Sequence, residues 1–154
     1  MIKKIISGGQ TGVDRAALDV AMALGIPVGG WCPAGRRALD GPIDEKYPLR
    51  ETVSSGYHQR TELNVMDSDG TLFLIYESPG AGTSLAINHC MEHKKPTCFI
   101  HLAGDFDPAL ARAKVLNWII DYQIERLNIA GPRNSSSSNS IYKLAHKILM
   151  AILS

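Results

Sequence analysis

Three short runs mix glycine with hydroxyl and amide side chains: GGQTG at Gly8 to Gly12, PGAGT at Pro79 to Thr83, and GPRNS at Gly131 to Ser135. Each follows an apolar run and precedes a stretch of helical spacing, which predicts a strand that ends at the loop and a helix that begins there. In an open parallel sheet that edge takes ligands, because helix amino termini present unpaired N–H groups and the positive end of the helix dipole. Glycine lets an anion approach the backbone closely, and Thr11, Thr83, Ser84 and Ser135 can add hydroxyl donors. A single loop of this kind need be no more than a tight corner. Three together predict an anion pocket for a phosphate-bearing or nucleotide-like small molecule. Neither GxxxxGK[ST] nor a GxGxxG after the first strand is present, so the usual ATPase and dehydrogenase readings weaken.

Other reactive side chains read more plainly. Asp14 is either a first-turn acid that favours the helix dipole or an acceptor for the edge of a pterin or purine. His89 and His93 stand four apart on a predicted helix without the glutamate of an HExxH site, and they read as ordinary surface histidines rather than metal ligands. Cys32 could touch a soft metal, but burial in the core is the more natural place for a free cysteine. Asp67, Ser68 and Asp69 read as a solvated turn.

The elements that must position these residues follow from periodicity. Lys3 to Ser7 is a short strand, and Val13, Ala16, Ala17, Val20, Ala21 and Leu24 mark one face of a helix, with Thr11 and Asp14 placed as a capping box. Val28 to Trp31 is the next strand. Cys32 to Tyr57, with three prolines and the basic pair Arg36-Arg37, predicts a long functional loop with one short strand near Glu51 to Val53. A short helix over His58 to Asp67 leads to the most apolar strand, Thr71 to Tyr76, expected to be central and parallel. A helix runs from the second glycine loop to about Lys94, and Thr97 to Ile100 is a strand. Asp107-Pro108 caps a helix whose buried face is predicted as Ala109, Ala113, Leu116 and Ile120. Leu127 to Ala130 is the last strand, and Ile141 to Ile152 repeats at helical spacing after a run of four serines, Ser135 to Ser138. Strands alternating with helices predict an α/β, Rossmann-like, three-layer doubly wound sheet, mostly parallel, of five to six strands in one domain over 1–154.

Composition narrows the partners. A net charge of +1 with 20% charged residues gives no field that would recruit nucleic acid or an anionic membrane. No apolar run approaches the ~20 residues of a membrane span. Three cysteines without CxxC spacing, after an amino terminus with no long apolar stretch, fit a reducing cytoplasm.

GGQTGVDRAALDVA, GGWCPAGRRALDGPI, YPLRET, QRTELNVMDSDGTL and IAGPRNS, in this order over nearly the whole chain, resemble the family of proposed molybdenum cofactor carriers. That family is the circularly permuted YpsA-like branch of the Rossmann-like SLOG superfamily, which includes the cytokinin-activating LOG proteins. The resemblance implies that Gly9, Gln10, Thr11 and Gly12, the loop Gly80, Ala81, Gly82, Thr83 and Ser84, and the turn Arg133, Asn134 and Ser135 enclose the ligand, with Gly8 of the first glycine run and Asp14 as further candidates beside them. Arg36, Arg37 and Arg60 are then candidate partners for its phosphate or oxyanion groups. It implies the molybdenum cofactor as the carried ligand, a homo-oligomer, and no catalytic residue. The four-serine run departs from the family pattern, in which a shorter stretch precedes the last helix. LOG phosphoribohydrolases carry PGGxGTxxE with a catalytic glutamate, whereas Ala86 stands at that position here, with Glu62 or Asp14 as conceivable substitutes. A binding protein is the expected function, with a LOG-like enzyme or a nucleotide sensor as alternatives.

Overall fold

A strand buried on both faces must present apolar side chains to each, and the run from Gly70 to Ile75 does so from Leu72 to Ile75 and is buried at every position in the computed structural model, which describes residues 1–154. This is β5. Its side chains alternate between two cores: Leu72 and Leu74 pack with the first, Phe73 and Ile75 with the second. Around it lie β1 (Lys4–Ile6), β2 (Val28–Gly29), β6 (Thr97–His101) and β7 (Arg126–Ala130), in the order β2-β1-β7-β5-β6. Every pairing is parallel.

Helices cover both faces. The larger core joins α1 (Val13–Ala23), α4 (Pro108–Asp121) and α5 (Ser140–Leu153) to one side of the sheet through Val13, Val20, Val115, Ile119, Ile148 and Leu149. The smaller core holds α2 (Tyr57–Met66) and α3 (Ala81–Glu92) to the other through Val65, Ala86 and Cys90. The architecture is therefore the expected three-layer, Rossmann-like α/β sandwich with five parallel strands. No helix is long and apolar enough to cross a membrane, and all three cysteines are free and buried.

Several local expectations need correction. The segment from Val28 is not one strand: after β2 the chain bends at Gly30, and β3 (Trp31–Cys32) leaves the main sheet to pair with β4 (Arg50–Glu51). The long loop between them does not hang free. Cys32, Ala38, Ile43, Tyr47 and Leu49 bury themselves against Leu18 of α1 as a third small core. Asp67, Ser68 and Asp69 do form a turn, but only Asp67 is exposed in it. Asp69 accepts from the amides of Glu125 and Arg126 and so fixes the start of β7, Asp67 accepts from the Trp31 indole, and Ser68 is buried.

On α4 the Asp107 carboxylate caps Leu110 N as expected. The buried face, however, is Ala111, Val115, Trp118 and Ile119, while Ala109, Ala113, Leu116 and Ile120 turn to solvent. The helix is apolar on both sides, so periodicity alone does not choose between them.

One side chain ties the small core to the large one. Asp19 on α1 accepts from Tyr47 Oη of the long loop and from Tyr142 Oη of α5, each at 2.5 Å. Burial, and then the bond to Asp19, push the Tyr142 phenol up to about 12 and raise that of Tyr47 as well. Both therefore remain proton donors at neutral pH. Tyr47→Phe and Tyr142→Phe are each expected to cost about 1–2 kcal/mol, the scale of a partly exposed hydrogen bond to a charged group. Because they share one acceptor, the double variant should depart from the sum of the single effects. Urea denaturation of the three variants beside the parent measures both quantities.

Candidate functional site

Strands β1, β7 and β5 are neighbours, so the three loops that leave their carboxyl ends meet at one edge of the sheet. Between them and α2 lies a cleft of about 430 Å³, within the ~300–1,000 Å³ of ordinary small-molecule sites. The first loop contributes Gly8, Gln10 and Asp14, the second Gly80 to Thr83 with Leu85 and Ala86, and the third Gly131 to Arg133.

Close approach of the first and third loops depends on glycine. Gly12 has φ +84°, and a β-carbon there would lie 2.5 Å from Pro132 O and 2.8 Å from Arg133 C. No other residue fits that backbone and that gap. Val13 N then donates to Pro132 O at 3.1 Å, and Asn134 N donates to Thr11 Oγ1 at 3.3 Å. Thr11 is thus not the helix cap expected from its position. The residue before α1 is Gly12, without a side-chain cap, and the Thr11 hydroxyl instead accepts from the third loop.

Asp14 and Arg60 form the wall on the α2 side. Arg60 Nη1 lies 3.1 Å from Asp14 Oδ2, and the two side chains are 12% and 10% exposed. The guanidinium occupies the space of a missing side chain, since a β-carbon on Gly8 would fall 1.8 Å from Arg60 Nη1. Asp14 also accepts from Gln10 N at 3.3 Å, so the acid serves the preceding loop as well as the arginine. Burial nevertheless dominates and raises the Asp14 carboxyl above its usual value, the charge and hydrogen bonds of Arg60 and Gln10 offsetting only part of it.

The helix starts are not equivalent. On α1, the turn is closed internally, with Thr11 N donating to Gln10 Oε1 and Val13 N to Pro132 O. The amino end of α5, at Ser140, lies nine residues beyond Gly131, outside the cleft. The α3 start is different. Gly80 offers no side-chain cap, and the amides of Ala81, Gly82 and Thr83 have no partner within the chain. These amides carry the positive end of the α3 dipole at the rim of the cleft.

Other expected site residues lie farther away. Thr11, Asn134 and Ser135 border a second, shallower depression with Ser136 to Asn139, where Ser135 and Ser138 pair across a tight turn. Gly9, Gly12 and Ser84 do not line the cleft. Arg36 donates to the carbonyls of Ile43, Asp44, Tyr47 and Leu49 and so braces the long loop rather than facing the cleft. Arg37 is outside but adjacent: its guanidinium lies 4.8 Å from the centre of the Tyr57 ring, with Arg60 at 5.2 Å from the same ring. Arg133 lines the cleft, is exposed, and enters no salt bridge.

Four lining residues with polar side chains escaped sequence reasoning: Tyr57, Thr61, Asn64 and Asn128. Asn64 pairs with Trp31 as a strand would, its Oδ1 accepting from Trp31 N at 2.7 Å and its Nδ2 donating to Trp31 O at 3.0 Å. Asn128 is buried in β7 and donates to Thr71 Oγ1 at 3.1 Å. An asparagine inside an otherwise apolar central strand was a usable signal, because a buried amide needs partners.

His89, expected at the surface, is buried: it is 4% exposed and neither ring nitrogen has a hydrogen-bond partner. The expectation failed because His89 belongs to the side of α3 that faces α2, a contact periodicity does not reveal.

Comparison with known proteins gives two matches. The model of the "Circularly permutated YpsA SLOG family" matches residues 5–153. The crystal structure of a protein from Syntrophus aciditrophicus SB, named "Putative molybdenum carrier protein", superposes with a TM-score of 0.92 at 42% sequence identity, covering 99% of this chain and 96% of that one. No curated protein matches the chain.

Asp14 gives a pH signature. Because its carboxyl is raised in the folded protein, the folded state holds a proton that the unfolded chain releases near pH ~3.9. The stability contributed by that proton is present below the unfolded value and is lost as pH rises through the folded one. Asp14→Asn lacks the titration, so its stability relative to the parent should climb above about pH 4 and then level off. Denaturation midpoints of both proteins between pH 3.5 and 8, roughly spanning the carboxylate range, test the sign.

Proposed function

Because the chain belongs to the circularly permutated YpsA SLOG family, we propose that it is a binding protein that holds one phosphate-bearing ligand in the cleft between β1, β5 and β7. The observation that carries the reading is the α3 start: three amides without partners face a cleft whose rim also holds the uncommitted guanidinium of Arg133. A phosphate there would accept from the backbone of Ala81 to Thr83 and from a paired Arg133 fork. Tyr57, with the guanidinium groups of Arg37 and Arg60 over its ring, adds a wall of aromatic and cationic character for a flat, anionic ligand.

The molybdenum cofactor, an anionic pterin phosphate, is the carried molecule on this reading, in keeping with the name of the Syntrophus protein. The residues suit its phosphate and its ring. They do not offer its metal a soft ligand, since none of the three buried cysteines lines the cleft, so the dithiolene of the pterin itself would keep the molybdenum.

A second reading, hydrolysis of a nucleotide-like ligand, is favoured by one observation: a carboxyl group with a raised proton affinity stands in the cleft at Asp14. Glu62 is not its rival, because it is paired with His93 at 3.1 Å away from the cleft. Ala86, at the place of the LOG glutamate, is buried against Val65 and Phe73.

One set of variants separates these readings. With a carrier, Asp14→Asn removes a negative charge beside the ligand anion and should tighten binding by several-fold, while Arg133→Lys should weaken it by about 1–3 kcal/mol with the fold retained. Calorimetric titration with released molybdenum cofactor and with AMP measures both. With a hydrolase, the parent should release ribose 5-phosphate from AMP at ~1 s⁻¹ or more, and Asp14→Asn should abolish that. Unchanged affinity of Arg133→Lys for every ligand the parent binds would remove Arg133 from the site.

A further inference from the structure

Outside the cleft, α2 and α3 bring together five side chains that the binding function does not use: His58 and Glu62 from α2, and His89, Glu92 and His93 from the end of α3. His58 and Glu62 are one helical turn apart and share a face. His89 points at them from the opposing helix, with its ring edge-on to that of His58 at a centroid distance of 5.0 Å. Donor atoms of His58, Glu62 and His89 all lie within 4.8 Å of one another.

His89 is the unusual member of the group. Its ring is sealed from solvent, and neither nitrogen makes a hydrogen bond. The nearest carboxylates to its Nδ1 are Glu92 Oε2 at 3.5 Å and Glu62 Oε2 at 4.0 Å. A buried imidazole normally finds at least one partner, since it has lost water at both nitrogens.

We propose that His58, Glu62 and His89 bind a divalent transition-metal ion of the zinc type, which clamps α2 to α3. Two imidazoles and one carboxylate are the donors that zinc, cobalt and nickel accept, whereas calcium and magnesium prefer an all-oxygen set. In a tetrahedral zinc site with ligands at ~2.0–2.1 Å, donor atoms stand roughly 3.3 Å apart, so the three need only small side-chain rotations to close on an ion. His58 is exposed, which leaves the fourth position open to water.

The surroundings match a ligand set. His93 Nε2 lies 3.1 Å from Glu62 Oε1, so it holds the carboxylate from behind, as an outer partner orients a metal ligand. The ion would sit where α2, which carries Tyr57, Arg60, Thr61 and Asn64 into the cleft, meets α3, which carries Thr83, Leu85 and Ala86.

Tag-free full-length protein, stripped with chelator, is titrated with Zn²⁺ by calorimetry and with Co²⁺ by visible absorption. One ion per chain is expected, with the absorption of a four-coordinate Co²⁺ site. His89→Gln, Glu62→Gln and His58→Ala should each weaken Zn²⁺ binding by roughly 100-fold, at or beyond the upper end of the effect of removing an outer-shell partner. His146→Ala, on α5, should not. Circular dichroism establishes that each variant is folded, and the exposed His58→Ala keeps the test decisive should the buried His89 variant fail to fold. Absence of stoichiometric Zn²⁺ uptake by the parent overturns the proposal. So does a folded His58→Ala or Glu62→Gln protein that binds the ion as tightly as the parent.

Discussion

Asp14 and Arg60 face each other across 3.1 Å at the edge of the sheet, each about a tenth exposed, and the shape of the cleft depends on that pair. A buried ion pair is weak evidence of stability, because desolvation of two charges offsets most of their attraction. Here it does something more specific. It fixes the angle of α2 against the loop after β1, it makes the small size of Gly8 obligatory, and it spends one guanidinium on neutralising an acid. The cleft therefore has one arginine committed to its wall and another, Arg133, without a salt bridge at its rim.

That division of labour explains why charge alone is a poor guide to the site. Arg36, Arg37 and Arg60 have equal claims as cations in the sequence, yet Arg36 is used up by four backbone carbonyls and Arg37 by Ser55 O and the Tyr57 ring. Each local choice is a packing outcome. The long loop from Cys32 to Tyr57 needs an internal brace because it carries its own small core, and Arg36 supplies one.

The sequence made some features legible and hid others for identifiable reasons. GGQTG, PGAGT and GPRNS were readable as strand-to-helix turns, because glycine and polar residues set between a strand-like apolar run and a helical spacing mark the point where the chain changes element. Asp107-Pro108 was readable as a cap for the same kind of local reason. What failed was whatever depended on a partner distant in sequence. Thr11 looks like a cap until the third loop arrives to donate to it, His89 looks exposed until α2 covers it, and α4 has two apolar faces of which tertiary packing selects one. Asp19 gave no signal at all, since its two tyrosine partners lie 28 and 123 positions away.

The strand order bears on how the molecule is made. β1 and β2 pair with each other, as do β5 and β6, but nothing in the sheet connects these two halves except β7, which lies between β1 and β5 and is the last strand in the chain. A ribosome releases amino-terminal residues first, so both halves emerge with an edge unpaired and wait for Arg126 to Ala130 before the sheet is continuous. Contacts of such long sequence separation slow folding. The same strand also delivers the third loop, so the ligand edge cannot exist before β7 has emerged and paired, and a shorter nascent chain has no cleft to fill.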